Sequence, residues 1–99
     1  MARFVATVRF TDQGIKSIRE TTRRAAAFKT AAKRMGVKIL DVYWCLGPFD
    51  GLLVFEAPDS QAATSAMLYL AAQGNVKTET AEVFSAADVE KILQGIGGK

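Results

Sequence analysis

Val37-Lys38-Ile39-Leu40-Asp41-Val42-Tyr43-Trp44-Cys45-Leu46 runs through Gly47-Pro48-Phe49-Asp50-Gly51 into Leu52-Leu53-Val54-Phe55-Glu56, and this stretch decides the fold. Both flanking runs are rich in β-branched and aromatic residues, and the Pro and two Gly between them punctuate a turn, so the stretch predicts a β-hairpin. Strict alternation puts Val37, Ile39, Tyr43 and Cys45 on one face of the first strand and Leu40, Val42, Trp44 and Leu46 on the other. The return strand is likewise apolar on both sides. A sheet built from such strands needs cover on both faces.

Working outward, residues 3–10 alternate with period two: Phe4, Ala6, Val8 and Phe10 share one face, Val5, Thr7 and Arg9 the other. Thr11-Asp12-Gln13-Gly14 supplies turn and capping chemistry, and Ile15, Ile18, Ala25, Phe28, Ala32 and Met35 recur at helical spacing. The β-branched pair Thr21-Thr22 divides this stretch into a short helix and a longer one, and Gly36 ends it. After the hairpin, Asp59 reads as the N-cap of a second main helix with Ala63, Ala66, Met67 and Leu70 on its buried stripe, and Gly74 stops it. Residues 76–84 form a fourth, more polar strand. Ser85 caps a last short helix through about Leu93, and residues 95–99, with Gly95, Gly97 and Gly98, read as a loose tail behind a single domain spanning 1–94.

The order β-α-β-β-α-β predicts an α+β, ferredoxin-like sandwich: a four-stranded antiparallel sheet with both main helices on one face. The first and third strands are then central and the second is an edge, where Leu40, Val42, Trp44 and Leu46 would be an aggregation hazard if bare. Burying four such side chains on each of two protomers contributes roughly 12–24 kcal/mol, against an association cost of about 4–15 kcal/mol. A homodimer that covers the other face is expected. The competing arrangement folds the terminal helix back over that face in a monomer.

The chain has 99 residues, 49% of them hydrophobic and 23% charged, with a net charge of +3; this is the profile of one folded domain. Its mild basicity does not by itself nominate nucleic acid or membrane. No apolar run is long enough for a membrane span, and the single cysteine, Cys45, allows no disulfide within the chain, so a cytoplasmic protein is expected. With no histidine, Ser-His and Cys-His nucleophile pairs and His-rich zinc sites cannot be built. No cofactor and no metal site is expected, since the spacing of Asp41, Asp50, Glu56, Glu79 and Glu82 matches no metal loop.

Four segments together resemble the GYD domain family: Thr11-Asp12-Gln13-Gly14-Ile15, Asp41 through Asp50, Glu56-Ala57-Pro58-Asp59, and Gly74-Asn75-Val76-Lys77-Thr78-Glu79-Thr80. The resemblance implies a small ferredoxin-like protein related to the dimeric α/β-barrel group, which includes small oxygenases and isomerases. The family's Gly-x-Tyr-Asp signature reads Gly47-Pro48-Phe49-Asp50 here. A tyrosine hydroxyl acting as proton donor in relatives would thus be missing, leaving Tyr43 or Tyr69 to replace it, unless the ring itself was what the signature required.

The candidate site follows from these segments. Asp50 is a general base if desolvated beside Trp44 and Phe49, or an acceptor of backbone N–H bonds that holds the turn. Lys77 and Glu79 line a ligand cleft, with Glu79 as a second candidate base, or blunt an exposed edge strand. Arg9 clamps an anion or pairs with Glu56 or Glu79. Tyr43, Trp44 and Phe49 complete a ligand-binding set for a small organic molecule. The leading expectation is therefore a small-molecule-binding or cofactor-independent catalytic homodimer; the alternative is a non-enzymatic assembly or regulatory dimer. Nucleic-acid binding through Lys16, Arg19, Arg23, Arg24, Lys29, Lys33 and Arg34 is the weakest, because Gly51-Leu52-Leu53-Val54-Phe55 lacks the aromatic pattern of ferredoxin-like RNA binders.

Overall fold

In the computed structural model, which describes residues 1–98, strand β1 spans Ala2–Phe10 and buries Phe4, Ala6 and Val8 while Arg3 and Arg9 stay exposed. Thr11 ends it as an N-cap: its Oγ1 accepts from the Gly14 N–H at 3.1 Å and opens the short helix α1, Asp12–Lys16. A 3-10 turn, Ile18–Glu20, separates α1 from α2, Thr21–Arg34, so the break falls at the Thr pair. Gly36 then takes φ 78°, a left-handed turn that glycine makes without Cβ strain. Strands β2, Lys38–Trp44, and β3, Gly51–Ala57, form the hairpin. Asp59 Oδ1 accepts from the Ala62 N–H at 2.8 Å and caps α3, Ser60–Ala72. Strand β4, Val76–Val83, and helix α4, Ala86–Ile96, complete the chain.

The strand order is β2-β3-β1-β4, and every pairing is antiparallel. This is the ferredoxin-like sandwich with one helix appended. Its core lies on one side of the sheet, where Phe28 and Ala32 of α2 and Ala63, Ala66 and Met67 of α3 meet Phe4, Ala6, Val8, Ile39, Leu53, Phe55 and Ala57. Phe4 and Phe55 sit opposite each other in register, their rings stacked with centroids 5.3 Å apart. The alanines of α3 bring that helix down onto the sheet.

The hairpin corrects one expectation. The β2–β3 register shifts between Ile39 and Asp41, placing Ile39 opposite Phe55 and Val42 opposite Leu53. This β-bulge inserts one residue and reverses the alternation beyond it. Val42 and Trp44 therefore join Val37 and Ile39 on the helix side, and Tyr43 points to the open side. Of the apolar set assigned to the open face from strict alternation, Val42 and Trp44 are not there: Val42 packs against the core and Trp44 reaches the start of α2. The open face instead carries Val5, Thr7, Leu52, Val54 and Glu56 at its centre, each half-buried by neighbouring strands, with Tyr43 more exposed toward the β2 edge. Arg3 and Glu56 pair across it at 3.2 Å with half and a quarter of their side chains exposed, a contact of at most about 1 kcal/mol.

A second difference lies at the end of the chain. Gly95 is helical, and α4 continues to Ile96 before Gly97 turns at φ 73°; Lys99, part of the tail expected from the sequence, lies outside the described residues. Ser85 and Asp88 form a reciprocal capping box, with Ser85 N–H donating to Asp88 Oδ2 at 3.0 Å and Asp88 N–H to Ser85 Oγ at 3.1 Å. The bond from the Ser85 N–H is the main cause holding the Asp88 carboxyl below its usual range. Helix α4 buries none of its residues and makes no extended contact with any other element. No described helix is long and apolar enough to cross a membrane.

Candidate functional site

Three of the four sequence segments meet at one end of the sheet, where β1 ends and β4 begins. The Thr11 N–H donates to the Asn75 carbonyl at 3.0 Å, and Thr11 Oγ1 to the Gly74 carbonyl at 2.6 Å. Gln13 Nε2 donates to the Gln73 carbonyl and to Asn75 Oδ1, both at 2.9 Å. Gly14 is buried so tightly against the loop that a Cβ there would lie 2.1 Å from the Asn75 carbonyl oxygen. The loop itself turns at Gly74, φ 83°. On the other side of Gly14, the Arg24 guanidinium donates to the Ser17 carbonyl at 2.7 Å and to the Gly14 carbonyl at 3.3 Å. One member of the basic helix run is thus turned inward to hold α1.

The hairpin turn joins the same end through Asp50. Its Oδ2 accepts from the Phe10 N–H at 2.9 Å, its own N–H donates to the Val8 carbonyl at 2.8 Å, and its carbonyl accepts from the Cys45 N–H at 2.8 Å. One residue thereby fastens β1 to both limbs of the hairpin turn. Replacing Asp50 by Asn keeps an acceptor oxygen and is expected to cost little. Asp50→Ala strands a part-buried N–H and is expected to cost about 1–3 kcal/mol, read as a lower urea midpoint. Equal losses in both variants would contradict this role.

Beside these contacts, between the sheet and the helices, lies a cavity of about 70 Å³ whose wall includes Val8, Phe28, Val42, Leu53 and Leu70, with Asp50 and Arg24 at its margin. The lining is mainly apolar, and the polar groups at its margin are hydrogen-bonded to the protein.

The candidate residues are not gathered in one place. Asp50 borders the cavity on the helix side, whereas Glu79 stands across from Thr7 on the open side, so the two candidate bases lie on opposite faces of the sheet. Trp44 is on the helix side, its Nε1 donating to Thr21 Oγ1 at 3.0 Å, and Tyr43 is on the other. Phe49 is half-buried in the turn. Arg9 is exposed and stands opposite Lys77, not an acid. Among the described residues it makes no ion pair; Glu56 pairs with Arg3. Lys77 and Glu79 are exposed on edge strand β4.

The sequence reading did not single out Gly14, Asn75 or Arg24 as individual site residues. A glycine inside a helical pattern was the available signal, since its cost in a helix calls for a packing reason. Leu46, one of the four apolar side chains expected at the edge, is fully exposed, close beyond Trp44, which is 47% exposed.

The fold and this interlocked end define a small α+β module of ferredoxin-like type. A family model described as the GYD domain matches residues 4–93, and the chain belongs to that family. It is similar to the "Glutamine synthetase and cystathionine beta-lyase binding protein" of Thermus thermophilus, with 34% identity over 90 residues covering 90% of this chain and 95% of the relative. Two solved structures share the fold. The crystal structure of MtbAldR aligns with TM-score 0.61 at 20% identity over 85% of this chain, which spans about half (52%) of that longer chain. TTHA0845, also from Thermus thermophilus, aligns with TM-score 0.57 at 19% identity over 87% of this chain and 96% of that one.

Proposed function

We propose that this protein is a cytoplasmic, homodimeric binding module that docks on an enzyme, a regulatory rather than catalytic role. The observation that carries this reading is the use of the motif residues. Asp50, Thr11, Gln13 and Arg24 direct their polar groups at the backbone of Phe10, Gly74, Gln73 and Ser17, making a rigid end of the sheet, and beside it Trp44 and Leu46 stand exposed. Aromatic and large apolar side chains on a fixed support are the usual anchors of protein recognition. The 34% identical relative, named as a binding protein for two enzymes, supports the same class of partner. Homodimerisation is supported by the open sheet face, whose Val5, Leu52 and Val54 are half-buried and are not covered by any described helix of the same chain.

The test is direct binding of the purified protein to purified glutamine synthetase and to cystathionine beta-lyase, by native mass spectrometry and interferometry. Association with at least one is expected. Leu46→Asp, which alters a side chain with no packing in the monomer, is expected to weaken it at least about tenfold while leaving the unfolding midpoint unchanged. No association with either enzyme at micromolar concentration, or full affinity in the variant, overturns the reading.

A second reading rests on the cavity. Its size and apolar lining suit a small apolar molecule held within each protomer. A retained small molecule in the native mass spectrum would favour it.

A further inference from the structure

Helix α4 is specified by the sequence yet buries none of its residues and makes no extended contact with any other described element of its own chain. The capping box fixes its start, but an isolated helix of this length is marginal in water, and most helical stability comes from packing an apolar face. That face exists: Val89, Ile92, Leu93 and Ile96 recur at helical spacing, and they are 41%, 48%, 50% and 73% exposed. Phe84, just before the helix, is 54% exposed. Asp88, Glu90, Lys91 and Gln94 make up the polar remainder.

From this geometry we infer that α4 is an exchanged arm, seated across the open sheet face of a second copy while that copy's α4 seats on the first. The inference rests on the homodimer proposed above and specifies what covers the face. Three features support a second copy over the helix's own sheet. Helix α4 buries none of its residues against the described part of its own chain, although its link, Phe84 and Ser85, is as long as the two residues, Pro58 and Asp59, that return α3 onto the sheet. The molecule measures 55 Å along its longest axis, against about 30 Å for its longest strand at about 3.3 Å per residue, as expected for a helix directed away from the body.

Third, the dimensions match. Eleven residues make a helix about 16 Å long, and four strands about 4.8 Å apart span about 14 Å, so one arm crosses the whole face. Half the lateral surface of such a helix, about 11 Å across, is about 280 Å². Given once and received once, this is about 550 Å² per protomer, close to the lower limit of about 600 Å² per partner for a stable specific interface. The exchange is reciprocal, as a two-fold axis requires.

The experiment compares the full chain with the double variant Ile92→Glu/Leu93→Glu, which changes no core residue. Native mass spectrometry reads subunit number, circular dichroism the fold, and hydrogen exchange the amides of Val89–Ile96. A dimer with slow exchange across α4, converted by the variant to a folded monomer with fast exchange there, is the expected result. A dimer whose α4 exchanges fast, or one that persists in the variant, overturns the arm and leaves the homodimer standing. A monomeric full chain overturns both, and slow exchange across α4 in that monomer would show the helix folded onto its own sheet.

Discussion

Gly14→Ala is expected to destabilise the protein by about 3 kcal/mol, lowering the thermal midpoint by roughly 12–24 °C for a domain of this size. The sign is the informative part. In an unobstructed helix the same change gains up to about 1 kcal/mol, because alanine loses less backbone entropy than glycine. Here the new methyl would lie 2.1 Å from the Asn75 carbonyl oxygen. A backbone atom cannot rotate aside, so either α1 or the Gly74–Asn75 loop must shift, and the bonds from Thr11 and Gln13 to that loop shift with it. Substituting the Asn75 side chain should not rescue the variant, since the obstruction belongs to the main chain. A midpoint within a few degrees of the parent, measured by calorimetry, would show that the two segments are not locked.

Phe55→Ala is expected to cost about 3–5 kcal/mol, a large part of the roughly 5–15 kcal/mol that holds a natural domain together. Phe55 is fully buried on central strand β3 and stacks on Phe4 of the adjacent strand. Truncation leaves a cavity in a core already lined with small alanines from α2 and α3, and a thin core has little slack to collapse into it. Phe55→Leu should lose less than half as much. Urea unfolding checks both variants; a loss under about 1 kcal/mol for the alanine would mean the site closes over the void.

Much of the fold was legible because it is written in local chemistry. The alternation in β1, the break at Thr21, the caps at Asp59 and Ser85, and the left-handed turns at Gly36 and Gly74 each depend on residues next to one another in the chain. The bulge after Ile39 was not legible, since any residue type can occupy the extra position and only the pairing with β3 reveals it. That one insertion moved Trp44 and Val42 to the helix side. The partners of Arg9 were equally hidden: its neighbour across the sheet is set by the register of two strands far apart in sequence, and that neighbour is Lys77. The site was legible as segments but not as contacts. Nothing local in Gly14 or in Gly74-Asn75 states that the two touch.

The Asp50 contacts bear on how tightly a partner can be held. Leu46 and Trp44 project from a hairpin end that is closed on itself by the bond from Cys45 to Asp50 and tied to the end of β1 through Asp50, and the indole is already oriented by Thr21. Docking would therefore forfeit little motional freedom at the point of contact, where each newly immobilised side chain otherwise costs about 0.5–1.5 kcal/mol. A small protein with few residues to offer a partner gains affinity by presenting them already stilled.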